Sequence, residues 1–324
     1  MQGPKPGKGG DMGTQAVRES TLKRLLESYR SGEISRREFF QMVAFATGSV
    51  LVARDILLAE GIASEWEWYN WPDAQGQTPP TPKESITAGK QRKPASVEAE
   101  WVEYEGGAGK VGAYLARPAK GAPFAGIVVI HENRGLTEFV LDIAQRWAGE
   151  GLLSIAPDFL SRLGGTATFA SMDAAREEIG KLERAGVVAD LMGTVTYLKS
   201  RKDAKKDRMG VGGFCWGGAQ TFNFATESSE LRFAVPFYGG APPAEKLEKI
   251  ACPIFAVCAA DDPRVTASLD AIDAKLKELG KNYTRKTYPG TQHAFMNFTG
   301  PRYNAEQAKA AWADVTEFVK RAVS

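Results

Sequence analysis

The run Met209-Gly-Val-Gly-Gly-Phe-Cys-Trp-Gly-Gly218 constrains this chain more than any other stretch of it. It reads as a buried strand over 209–214, a sharp turn at Cys215 and a helix opening at Trp216. Gly213 and Gly217 flank the cysteine where a Cβ would crowd a strained strand-to-helix turn. Such a turn holds the sulfur out at the end of a sheet and aims the first N–H groups of the helix at it, a field that favours a thiolate. The pattern G-x-C-x-G has the form of a nucleophile elbow, with Cys where Ser is commoner. The plainer reading is a half-buried cysteine in a glycine-rich turn.

Residues downstream of the turn favour chemistry. The chain has two histidines, His131 and His293. His293 lies in Tyr288-Pro-Gly-Thr-Gln-His-Ala-Phe295, just past a strand-like run over 284–288. Asp261 and Asp262 lie just past another, over 253–259. The order nucleophile, acid, base is that of α/β-hydrolases. Each candidate falls at the C-terminal end of a predicted strand, where open α/β sheets place their sites. Either aspartate fits the acid's place on these grounds alone.

The rest of the chain supports an α/β architecture. Val97 to Tyr104 and Gly109 to Arg117 read as a hairpin, 125–130 as an apolar strand, and 137–150 as a helix with Phe139, Ile143 and Trp147 on one face. Strands over 152–156 and 233–237 come next, and helices fall within 170–199 and over 265–279 and 305–322. Strands alternating with helices imply a mainly parallel central sheet flanked by helices. The 41 basic and 39 acidic residues nearly balance, which gives no field for nucleic acid. Three cysteines make no disulfide framework, and Cys252 and Cys258 border an apolar run as core residues would. The absence of C-x-x-C, H-E-x-x-H and histidine clusters speaks against a metal site. The expectation is no metal and no cofactor.

Ahead of the hydrolase domain (96–324), residues 1–20 are expected to be disordered, 21–71 to form a helical leader or appendage, and 72–95 to be a linker rich in Pro, Gln, Thr, Gly and Lys. Ser35-Arg-Arg-Glu-Phe39, followed by a short apolar stretch, has two readings. One is a twin-arginine export signal with a small-residue cleavage site at Gly61-Ile-Ala63. The other is a retained helix of a cytoplasmic protein, with Ser35 and Glu38 as a capping box. The apolar stretch is too short for a stable membrane span. Trp66, Trp68, Tyr69 and Trp71 form an aromatic cluster suited to packing the appendage.

Taken together, Val129-Ile-His-Glu-Asn-Arg-Gly-Leu136, Ala156-Pro-Asp-Phe-Leu160 onward to Arg162, Gly213-Phe-Cys-Trp-Gly-Gly218, Phe237-Tyr-Gly239, Asp262-Pro-Arg-Val265 and Tyr288 to Phe295 resemble the dienelactone hydrolase family of α/β-hydrolases, over about 97–322. The resemblance selects Asp262, because the family's acid lies three residues before a Val or Ile. It implies that Glu132 pairs with the resting cysteine and that Arg162 meets a substrate carboxylate. A second arginine is expected four residues past the histidine, where this chain has Asn297. The leader also resembles that of a subgroup with Leu-Leu-x-x-Tyr and a later Gly-x-Ile-Ser-Arg-Arg-x-Phe.

The implied chemistry is hydrolysis of a small-molecule ester or lactone. Cys215 would act as nucleophile, His293 as base and Asp262 as orienting acid, with the N–H groups of Trp216 and Asn133 as oxyanion donors. Arg134 and Arg264 read as ion-pair partners, and His131 as a hydrogen-bonded structural residue. The alternatives are a thiol-based redox or stress protein, weakened by the lack of a nearby resolving cysteine, and a binding protein on the same fold.

Overall fold

The computed structural model describes residues 12–34, 39, 42–43, 81–91 and 93–324. It divides into two units, 1–79 and 80–324. In the first, helix α1 (Met12–Arg30) ends in a turn in which Gly32 takes φ of 80°. Phe39 and Val43 are buried, and the Phe39 ring lies 5.5 Å from that of Tyr29. The disorder expected over 1–20 is corrected from Met12 onward, where the helix has already begun. The twin-arginine pair Arg36 and Arg37, the Gly61–Ala63 stretch and the aromatic cluster at 66–71 lie outside the described residues.

In the second unit, the linker expectation over 72–95 is also corrected, because helix α2 occupies Pro82–Gln91. Its start is a reciprocal cap. The Thr81 N–H donates to Glu84 Oε2 at 2.8 Å, and the Glu84 N–H donates to Thr81 Oγ1 at 3.3 Å. Buried Ile86 and Ser85 tie the helix down, with Ser85 Oγ accepting the N–H of Glu138 at 2.9 Å.

The strands are β1 (Val97–Gly106), β2 (Gly109–Pro118), β3 (Phe124–Ile130), β4 (Leu153–Pro157), β5 (Ala204–Phe214), β6 (Leu231–Phe237), β7 (Ile254–Asp261) and β8 (Tyr283–Gln292). They form an eight-stranded sheet in the order β1-β2-β4-β3-β5-β6-β7-β8. The β1–β2 and β2–β4 pairs are antiparallel, and every pairing from β4 to β8 is parallel. This is the mainly parallel sheet flanked by helices that the alternation of elements implied. All seven residues of β3 are buried, as expected of a strand covered on both faces.

The two faces follow the period of two along each strand. Ile127 and Val129 point to a core shared with α2, with α3 (Glu138–Gly149) through Phe139, Ile143 and Trp147, and with α8 (Ala305–Val323) through Ala311 and Val315. Val128 and Ile130 point to the other core, shared with α5 (Arg184–Ser200), α6 (Trp216–Ala225) and α7 (Pro263–Glu278). Between β4 and α5 run two short 3₁₀ turns and helix α4 (Met172–Gly180), which pass over the C-terminal side of β4. Among the described residues, no helix is long and apolar enough to cross a membrane.

Candidate active site

The loops after β3, β5, β7 and β8 carry the candidate residues, all at the C-terminal edge of the parallel sheet. Cys215 sits between β5 and α6 with φ of 56° and ψ of −112°. Among the described residues, the non-glycine residues with positive φ are Cys215, Tyr238 and Ala294. One holds the sulfur, one follows β6, and one follows His293. Backbone strain of this kind costs on the order of 1–3 kcal/mol per residue and persists where the surroundings over-determine it. At Cys215 the restraint is visible: its N–H donates to the Phe237 carbonyl at 3.0 Å.

Gly217 lets the start of α6 approach the loop after β3. A Cβ on it would run into the carbonyl oxygens of Ile130 and His131. Trp216 is the first residue of this helix, so its N–H is one of the orphan donors of the helix start. The loop after β3 turns sharply at Gly135, which takes φ of 79°. The turn is held by a bond from the Leu136 N–H to Thr166 Oγ1 at 3.1 Å. Thr166 in turn donates both its N–H and its hydroxyl to the buried Asp158 carboxylate.

Asp262 caps α7, with Oδ1 accepting the Val265 N–H at 3.4 Å, and its Oδ2 lies 2.5 Å from His293 Nδ1. Asp261 is exposed and accepts from the Gln292 side chain instead. Of the two aspartates, Asp262 is therefore the one that reaches the imidazole. The Cys215 thiol is a further neighbour that acts on His293 and favours its protonated form. Burial alone would lower the histidine's pKa. The bond to Asp262, the Cys215 thiol and the charges behind them outweigh burial and lift it to about 9. The Tyr238 ring stands edge-on to the imidazole at 5.1 Å.

Glu132 is buried behind this row. Its Oε2 accepts the Asn297 amide at 2.7 Å, and its Oε1 lies 3.5 Å from the Tyr238 hydroxyl. Desolvation raises its pKa, against the opposing pull of Arg134, Asn297, His293 and Arg302. The expected pairing of Glu132 with the resting thiol is not among its described bonds. Arg162 has a partner within the protein. Both its terminal nitrogens bond the fully buried Asp190 carboxylate, at 3.2 and 2.7 Å. Asp190 accepts the Ala108 N–H as well, so this cation braces the β1–β2 hairpin turn against α5. The cations that act electrostatically on Glu132 are Arg134 and Arg302. Arg134 lies two residues from Glu132 in the sequence, a signal that an anchor in the same loop provided; Arg302 had none.

The sequence pattern of the dienelactone hydrolase family matches residues 111–323. The chain belongs to the dienelactone hydrolase family. A carboxymethylenebutenolidase-like protein of Saccharolobus solfataricus is 30% identical to it over 67% of this chain and 96% of its own length. Another, from Methylorubrum extorquens, is 28% identical over 66% of this chain and 77% of its own length. A dienelactone hydrolase-like protein of Klebsiella pneumoniae has a solved structure that superposes with a TM-score of 0.64. It is 25% identical, and the match covers 69% of this chain and 98% of that one. Membership makes the chain a carboxylic ester hydrolase with a small-molecule ester as substrate. Among the described residues of this dienelactone hydrolase family member, no cluster of His, Cys, Asp or Glu has the makings of a metal site.

Proposed function

We propose that the chain hydrolyses a small ester or lactone through an acyl-thioester on Cys215. The observation that carries this reading is His293, bonded to the Asp262 carboxylate and raised in pKa by the neighbouring Cys215 thiol. The Cys215 thiol passes its proton to His293, the resulting thiolate attacks the carbonyl carbon, an S–C bond forms, and the carbonyl electron pair moves onto oxygen. The N–H groups of Trp216 and Asn133 receive that oxyanion. Collapse breaks the C–O bond of the ester, and the departing alkoxide takes a proton from the His293 imidazolium. A water then gives its proton to His293 and attacks the thioester, and the sulfur leaves as a thiolate that takes that proton back from the imidazolium. The products are a carboxylic acid and an alcohol, or one hydroxy acid from a lactone.

Asp262 keeps Nδ1 protonated and stabilises the imidazolium, which leaves Nε2 for the sulfur and the water. Glu132 and Asn297 form the wall behind the reacting carbon. Arg134 and Arg302 supply positive potential there, which suits a substrate bearing negative charge.

The test is hydrolysis of p-nitrophenyl acetate by wild type, Cys215→Ala and Cys215→Ser, with acid-quenched samples weighed by mass spectrometry. An acetyl group on Cys215 in wild type, loss of turnover in Cys215→Ala and a small residue of activity in Cys215→Ser are expected. Undiminished turnover in Cys215→Ala would refute the mechanism.

A further inference from the structure

His131 takes no part in the acyl-transfer steps, yet its environment is unusually specific. It is fully buried, with its ring stacked on the Trp216 indole at 5.3 Å and 16° between planes. The Phe159 ring meets His131 edge-on at 5.2 Å and Trp216 edge-on at 5.6 Å. His131 Nδ1 lies 2.6 Å from the backbone carbonyl oxygen of Glu132, the next residue in the chain. His131 Nε2 is buried without a hydrogen-bond partner.

These contacts settle the tautomer. A carbonyl oxygen only accepts, so Nδ1 carries the proton. Nε2 is then a bare acceptor, which is cheaper to bury unpaired than an N–H would be. Burial also pushes the pKa of the ring down, against the nearby charge of Asp158, so the imidazole is neutral.

The bond falls on one particular peptide. The carbonyl of Glu132 and the N–H of Asn133 belong to the same planar trans unit and point in opposite directions. Fixing the oxygen fixes the direction of the N–H. The Gly135 N–H reaches the same oxygen at 3.4 Å, so the carbonyl is gripped from the ring and from within the turn. The His131 ring, meanwhile, packs flat on Trp216, whose N–H is the partner donor. We propose that His131 is a positioning residue that aims both oxyanion donors, the Asn133 N–H through its Nδ1 bond to the Glu132 carbonyl and the Trp216 N–H through ring stacking. This rests on the oxyanion assignment made under the proposed function.

Two substitutions separate the two contacts. His131→Phe keeps a flat ring against Trp216 and removes the donor. His131→Asn removes the ring and places an amide N–H close to where Nδ1 stands. The assays are steady-state hydrolysis of a p-nitrophenyl ester, inhibition by an aldehyde whose thiohemiacetal oxygen occupies the oxyanion position, and alkylation of Cys215 by iodoacetamide, which develops no oxyanion. In His131→Phe, kcat is expected to fall about 10- to 100-fold, less than removal of a whole oxyanion donor, with KM changed less than about twofold. Aldehyde affinity should fall in parallel, while the alkylation rate stays at the wild-type value. His131→Asn, although less stable for its lost ring, should recover a large part of the lost kcat. Wild-type kcat in His131→Phe, an equal loss of alkylation rate, or no recovery in His131→Asn would each overturn the proposal. Failure of the cysteine mechanism itself shows elsewhere, as full turnover in Cys215→Ala.

Discussion

The most exposing perturbation of this site is Asp262→Asn, read at the histidine rather than at the substrate. In the wild type, His293 titrates at about 9 against an ordinary value of 6.5. At 1.36 kcal/mol per pH unit, that difference is about 3 kcal/mol of preference for the imidazolium. The side chain is mostly buried, at 17% exposed, so solvent screening removes little of it. Burial opposes the charged ring throughout, and the 2.5 Å bond to Asp262 is the largest influence that overcomes it. Asparagine preserves the shape and can still accept the Val265 N–H at the start of α7, but it brings no charge. The midpoint should therefore fall by about 2 pH units or more.

Stability inherits its pH dependence from the same shift. A folded-state value above the unfolded one makes the His293 contribution complete below pH 6.5 and removes it as the pH rises through about 9. In Asp262→Asn most of that contribution is lost at every pH below about 9. Proton NMR of untagged protein suits the measurement, because the chain has two histidines. One imidazole signal should move with a midpoint near 9. The other, from His131, should stay fixed over the same range, since burial holds its pKa down. The variant's kcat should drop on the order of 10³- to 10⁴-fold, as expected when an orienting carboxylate becomes an amide. A wild-type midpoint near 6.5, or one that Asp262→Asn leaves in place, would refute the reasoning.

Neighbouring contacts set other outcomes. Arg162→Ala should cost about 1–3 kcal/mol in urea denaturation, because it strands the buried Asp190 carboxylate while the arginine itself is about one-third exposed, and it should leave ester KM unchanged. Gly217→Ala should lower both kcat and stability, since the new methyl group meets backbone oxygens that cannot move independently of the loop after β3; full activity would contradict the packing described. Export through the Ser35–Phe39 leader remains our proposal for the N-terminal segment, and it expects a mature chain starting near Ser64, with Arg36 and Arg37 replaced by Lys leaving the precursor inside. Mass spectrometry of the native N-terminus decides it, and an intact start in a cytoplasmic protein excludes export.

The elbow was legible because its constraints are local. Glycine spacing, the end of a β-rich run and the opening of a helix all lie within ten residues, and the same holds for the strand ends that carry Asp262 and His293. The ion pair of Arg162 was not legible because its partner lies 28 residues away, on α5. No spacing rule distinguishes an arginine awaiting a carboxylate ligand from one already clasped by a buried aspartate. Asn297 is a related case. Its identity showed that an arginine was missing, but not that its amide would bond Glu132 across 165 residues. Helix α2 was missed for a different reason. The run Thr81-Pro-Lys-Glu84 is a capping box with proline at the first helical position, and that signal was hidden by the proline-rich composition around it.

The contact between the end of β6 and the start of α6 bears on how such an enzyme changes its substrate. A Cβ on Gly218 would strike the Phe237 carbonyl, and one on Gly239 would strike the backbone of Gly218. Backbone here rests directly on backbone, with no side chain between them to trade for a larger or smaller one. The tilt of the helix bearing Cys215 is consequently not adjustable by stepwise substitution along this seam. New specificities in this lineage would have to be acquired in the surrounding loops, over 158–171 and 297–303, while Cys215 keeps its place.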